Sequence, residues 1–97
     1  MKELYFIGLG LHKLVSAELK PYHKGWMITR IFVPDGFQDD DYDLKVLELV
    51  IADADKEGVV LYLSPQSYQT SYQYVSLGFQ TYRGVPRRRP NYKGGKP

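Results

Sequence analysis

The chain has 97 residues, 43% hydrophobic and 25% charged, with a formal net charge of +2 and no cysteine. That length sets one domain with a modest core, and the composition excludes a disordered chain. The lack of cysteine excludes disulfides, thiolate metal sites and a cysteine nucleophile; it fits a reducing compartment and makes the cytoplasm the expected location.

The chain opens MKELYFIGLGLHKLVSA. Lys2 before an apolar run and the small residues Val15-Ser16-Ala17 resemble a secretory signal, but Glu3, His12 and Lys13 interrupt that pattern. Met1 onward is therefore read as part of the fold. No stretch approaches the ~20 apolar residues that span a bilayer, so no membrane partner is expected. Residues 4–11 read as a strand, bulged or leading into a loop at Gly8 and Gly10. Residues 13–19 are read as a strand, although their periodicity also admits a helix. Pro21 and Gly25 mark KPYHKG as a turn. In WMITRIFV, Trp26, Ile28, Arg30 and Phe32 alternate with Met27, Thr29, Ile31 and Val33, which predicts a strand ending at Pro34. Residues 4–33 thus predict an antiparallel meander or hairpin.

Residues 34–43, PDGFQDDDYD, predict an acidic loop in which Asp41 or Asp43 caps a helix. The helix is predicted over residues 44–57. Leu44, Leu47, Ile51 and Ala54 form its apolar stripe, Val50 widens it, and Gly58 ends it. VVLYL then reads as a buried strand between Gly58 and Pro65. Strand, helix and strand in succession predict a βαβ unit with a parallel pair. Ser67 suits the N-cap of a short helix over residues 68–77, stopped by Gly78. Tyr68, Tyr72 and Val75 share one face of it, and Ser67, Ser71 and Tyr74 another. Residues 79–83 and 85–89 predict a strand pair turning near Arg83-Gly84.

The remaining residues, 91–97, read as a flexible basic tail on a domain spanning residues 1–90. Residues 83–97 hold 6 of the 13 basic residues and no acid, whereas residues 1–82 hold all 11 acids. The basic sign therefore belongs to the C-terminal end. Arg83, Arg87, Arg88, Arg89, Lys93 and Lys96, with Tyr82 and Tyr92, carry the charge and rings that contact nucleic acid in other proteins, but no recognition motif accompanies them. A solubilising end and a pairing of residues 87–89 with the acidic loop are the other readings.

Leu61, Leu63, Pro65 and Ser67, followed by Tyr74, Leu77, Gly78 and Phe79, resemble the L-x-V-x-P-x-N turn and Y-x-x-L-G-F segment of the GNAT acyltransferases (GCN5-related N-acetyltransferases). The spacing matches without gaps, with Ser67 in place of the family's Asn. Residues 26–34 look like the family's fourth strand, and residues 52–58 like its helix end, as in small actinobacterial and phage-encoded members. Residues 84–90, GVPRRRP, look like the closing strand. The resemblance covers about residues 26–90. It implies an α+β, reduced GNAT-like fold: a mixed sheet with one long and one short helix. The family's first helices have no room here.

The resemblance implies acetyl transfer from acetyl-CoA to an amine. Tyr74 would stand as the general acid that protonates the departing thiolate. Ile31, Phe32 and Val33 would carry the pantetheine, and Gly36, Phe37, Gln38, Asp39, Asp40, Asp41 and Ser67 would complete the cofactor site. Asp35 and Glu18 are the alternatives for a base. The amine site would lie in an open groove or come from a second subunit, as in a homodimer. One departure is large. The family's Arg/Gln-x-x-Gly-x-Gly/Ala segment, whose N–H groups hold the pyrophosphate, reads here as Asp35-Gly36-Phe37-Gln38-Asp39-Asp40-Asp41. Like charges ~5 Å apart repel by roughly 3 kcal/mol at an effective dielectric of 20. The same acids could take a divalent cation through oxygen, although the spacing is not that of an EF-hand. The alternative function is a non-catalytic GNAT-derived binding protein, such as a phage accessory or host-directed protein, that grips a protein or nucleic acid through the tail or the acidic loop.

Overall fold

The computed structural model describes residues 1–38, 40–64 and 74–91. It is an α+β fold with a six-stranded mixed sheet and, among the described residues, one long helix. The strands are β1 (Leu4–Gly8), β2 (Leu14–Tyr22), β3 (Gly25–Phe32), β4 (Leu61–Leu63), β5 (Gln80–Tyr82) and β6 (Val85–Arg88); helix α1 spans Tyr42–Glu57. Their order across the sheet is β1-β2-β3-β4-β6-β5. Only β3 and β4 are parallel; every other pair is antiparallel.

The meander forms as the alternation predicts, with one correction. KPYHKG is not a turn throughout. Pro21 and Tyr22 belong to β2, Gly25 begins β3, and only His23 and Lys24 turn the chain. Of the two readings of residues 4–11, the strand leading into a loop is the one seen: β1 ends at Gly8, and Gly10, Leu11 and His12 all have positive φ. A bulge does occur, but between β2 and β3 at Glu18/Leu19.

Helix α1 begins two residues before its predicted start. Asp41 occupies its N-cap with φ 57 and makes no side-chain capping bond. Its carbonyl accepts from Leu44 and Lys45 N–H at 3.1 Å, so the backbone and not a carboxylate closes the first turn. At the other end Gly58, φ 70, lets the chain reverse: Gly58 N–H bonds Asp55 O, and Val59 N–H bonds Ala54 O at 2.8 Å. This paired closure satisfies two orphan carbonyls. VVLYL shortens accordingly. Val59 belongs to the cap, and Val60 lends its carbonyl to Trp26 N–H at 3.0 Å ahead of β4.

Val46, Leu47, Val50, Ile51 and Ala54 of α1 are buried against one face of the sheet. Tyr5, Val15, Ala17, Leu19, Ile28, Leu61 and Leu63 supply that face, and Tyr74 and Phe79 complete the core. The predicted short helix lies mostly outside the described residues, including Pro65, Ser67, Tyr68, Ser71 and Tyr72. Its described end is helical at Tyr74 and Val75. Gly78 closes it with the same pair of bonds as Gly58: Gly78 N–H to Val75 O and Phe79 N–H to Tyr74 O. The rings of Tyr74 and Phe79 meet edge to face at 6.4 Å, the apolar contact that accompanies this closure. The β5–β6 hairpin turns at Arg83 and Gly84, both with positive φ, as its strand twist requires.

Candidate functional site

The parallel pair β3–β4 lies at the middle of the sheet. β3 pairs with β4 at Trp26↔Leu61, Met27↔Tyr62 and Ile28↔Leu63. Ser64 extends this by one step, donating from N–H to Ile28 O at 3.0 Å and from Oγ to Thr29 O at 3.2 Å. β3 continues to Phe32, paired with β2 at Arg30, Ile31 and Phe32. Of the residues predicted to carry pantetheine, Ile31 and Val33 are half-buried against the core. Phe32 lies on the other side, exposed, with the Arg30 guanidinium 5.5 Å from its ring centre.

The predicted phosphate loop follows. Residues 34–37 form a turn closed by Phe37 N–H donating to Pro34 O at 3.2 Å, with Gly36 at φ 88. That N–H is therefore already engaged. Asp35, Gln38, Asp40 and Asp41 are exposed. Asp39 and Ser67 lie outside the described residues. Glu18 is exposed, 3.8 Å from Arg30, on the sheet face away from α1.

The loop also gathers cations that sequence reading missed. Phe37 meets Tyr42 edge to face at 6.0 Å. Lys13 Nζ lies 5.6 Å from the Phe37 ring centre, and Lys45 Nζ lies 4.5 Å from that of Tyr42. Lys45 was legible as a first-turn residue of α1; Lys13 comes from the β1–β2 turn and only the fold brings it here. Two ammonium groups thus stand beside the acidic segment at the positive end of α1.

Tyr74 is 3% exposed. Its phenol is pushed up to about 12 by burial and then by the negative charge of Asp43 in the first turn of α1. That electrostatic coupling ties Tyr74 to the same end of α1 as the Phe37–Tyr42 cluster. At neutral pH its hydroxyl keeps its proton.

Among the described residues, the arginines of the basic end do not share one surface. Arg88 is a correction to the partner-binding set: it is 5% exposed and faces the core side of the sheet. It donates from Nη1 and Nη2 to the Asp55 carboxylate at 2.6 and 3.2 Å, and from Nε to Leu77 O at 2.7 Å. Arg88 thus pairs with the far end of α1 rather than with the acidic loop. Arg87 lies 3.9 Å from the centre of the Tyr82 ring, and Arg83 lies 5.5 Å from it. Arg89 is exposed; Tyr92, Lys93 and Lys96 lie outside the described residues.

An open pocket of about 400 Å³ lies beside the Arg88–Asp55 pair. Ile51, Ala52 and Leu77 give it apolar walls, and Glu48 and Ser76 are polar. None of the predicted cofactor residues lines it. No helix among the described residues is long and apolar enough to cross a membrane. Comparison of the chain with models of protein families, with curated proteins and with solved structures found no match.

Proposed function

We propose that the chain is a reduced GNAT-like domain that transfers an acetyl group from acetyl-CoA to an amine. The observation that carries this reading is the sheet: an antiparallel meander, a long helical crossover, a single parallel pair, and a closing hairpin added on the far side of β4. That is the element order the resemblance implies, and β3 outruns its described pairing with β4 where the family takes its cofactor. Ile31 to Val33 would accept the pantetheine. Lys13 and Lys45, with the start of α1, would replace a glycine-rich loop in holding the phosphates. Acetyl-CoA bound there would supply an activated thioester. Tyr74 holds the proton a leaving thiolate needs, within electrostatic reach of Asp43.

A second reading is a non-catalytic binding protein on the same scaffold. The specific observation in its favour is the 34–37 turn, which engages the Phe37 N–H and sets exposed carboxylates where the pyrophosphate would lie. Calorimetric titration of acetyl-CoA into the full chain separates the two. Micromolar binding, weakened on the order of tenfold by Lys13→Gln or Lys45→Gln, supports the enzyme. No heat up to millimolar ligand, with a folded protein, rejects it.

A further inference from the structure

The face of the sheet turned away from α1 carries a row of side chains that joins Tyr82 and Arg87 of the basic end to residues of β2, β3 and β4. Register places Lys20 opposite Met27, Met27 opposite Tyr62, Tyr62 opposite Arg87 and Arg87 opposite Gln80. Leu61, Leu63 and Arg88 point to the α1 side, so by alternation Tyr62 and Arg87 point away from it. Two rings extend the row diagonally. Tyr22 packs edge to face on Tyr62 at 4.9 Å, with His23 against Tyr22 at 4.3 Å. On the other side Tyr82 lies under Arg87 at 3.9 Å and is 46% exposed. Across the sheet the strip thus runs Lys20, Met27, Tyr62 and Arg87, with Tyr22 beside Tyr62 and Tyr82 beneath Arg87. Strands spaced about 4.8 Å apart separate Tyr62 on β4 from Tyr82 on β5 by two strand steps, so a ligand engaging both must run along the strip.

Charge supports an anionic occupant. The acid on this face, Glu18, lies beside Arg30. Helix α1, on the opposite face, carries Asp43, Glu48, Asp53, Asp55 and Glu57 against two lysines. Among the described residues, helix α1 is thus acidic and the open sheet face carries more basic than acidic side chains. Rings beside cations suit unpaired bases and a phosphate backbone; a duplex offers phosphates but hides its base faces, and an acidic peptide needs no ring platform.

We propose that this open sheet face binds single-stranded nucleic acid, with Tyr62 and Tyr82 stacking on bases and Lys20 and Arg87 facing phosphates. The site lies on the sheet face away from α1 and does not rest on acetyl transfer. The test is fluorescence anisotropy of labelled single-stranded oligo(dT) and oligo(U), about 15 nucleotides long, titrated with the full chain, beside a duplex of equal length. No acetyl-CoA is present, so the outcome is independent of that reading. Single strands are expected to bind more tightly than the duplex. Tyr82→Ala should weaken binding on the order of tenfold, and Lys20→Gln should lower the salt slope by about 0.7. Circular dichroism checks that each variant folds; Arg87→Gln serves as a second exposed-face variant. The proposal is overturned if folded Tyr82→Ala and Arg87→Gln bind as the parent does. Loss on Lys93→Gln/Lys96→Gln alone, equal binding of duplex, or binding of anionic vesicles but not of oligonucleotides would overturn it too.

Discussion

Arg88 and Asp55 meet in a two-point ion pair, with Asn91 N–H adding a third donor to Asp55 at 2.6 Å. Burial works to raise the Asp55 carboxyl, but the Arg88 and Asn91 bonds and the Arg88 charge outweigh it and hold it below the ordinary value of 3.8. Its proton is thus bound more readily when the chain unfolds, and stability rises with pH across that window. The contribution is present above the unfolded pKa and lost as pH falls through the lowered native one. Arg88→Met should cost about 3 kcal/mol, at the low end for a broken buried pair because Asp55 keeps some access to water. It should also flatten the acid limb of the stability curve; urea titrations from neutral pH to pH 3 would measure both. Tyr5 donates to Asp53, and burial together with that bond pushes its phenol up to about 12, as burial does for Tyr74. Spectrophotometric titration should therefore find late-ionising phenols. Tyr5→Phe and Tyr74→Phe should each remove one; if neither shortens the late phase, these environments are wrong. In the sequence Tyr74 stood out by its place before Leu77-Gly78-Phe79, whereas Arg88 was one of three consecutive arginines. Only alternation along β6 tells them apart, and a four-residue strand carries too little periodicity to fix which arginine turns inward.

Two glycines that look alike in the sequence serve different elements. Gly58 ends α1 at φ 70, and an added Cβ there would meet nothing within 4 Å. Gly58→Ala should therefore cost about 1 kcal/mol, from backbone conformation alone. Gly25 begins β3, and its added Cβ would sit 2.2 Å from Val60 O, the carbonyl that accepts from Trp26. Gly25→Ala should cost about 3 kcal/mol and loosen the parallel pair. Thermal melts of the two variants would rank them, and equal losses would contradict this assignment. Gly58 was legible as a helix stop after a clear stripe. Gly25 read as a turn residue because the sequence cannot show that Val60, distant in the chain, crosses behind it. Pro21 misled for a related reason. Leu19 N–H points toward β1, where it meets Glu3 O at 2.8 Å, so position 21 faces the same way. The β1–β2 register ends at Leu4↔Glu18, and the missing N–H of Pro21 falls beyond it. A proline is tolerated where its strand is locally an edge.

At the scale of the molecule, the described elements and their succession were readable where the apolar period is clear, as in β3 and α1. The mixed sheet follows from them, with α1 as the crossover that lets β3 and β4 run parallel. The site was less readable. A loop rich in aspartate gave no sign of the lysines that Phe37 and Tyr42 gather, because Lys13 arrives from another hairpin. The division of charge between the helix side and the open sheet side was also hidden, since alternation along strands sorts neighbours in sequence onto opposite faces.

The closing hairpin joins the rest of the sheet through the pairs Leu61↔Arg88 and Tyr62↔Arg87, reinforced by the Arg88–Asp55 contact. β2 and β3, in contrast, are zipped along seven paired positions. This inequality predicts two cooperative units in hydrogen exchange. Amides of β2 and β3 should exchange only through global unfolding, while those between β5 and β6 should open at a lower free energy. Arg88→Met should speed exchange in the hairpin beyond its effect on β1–β2. Uniform protection across both halves would mean that the hairpin and the meander unfold as one.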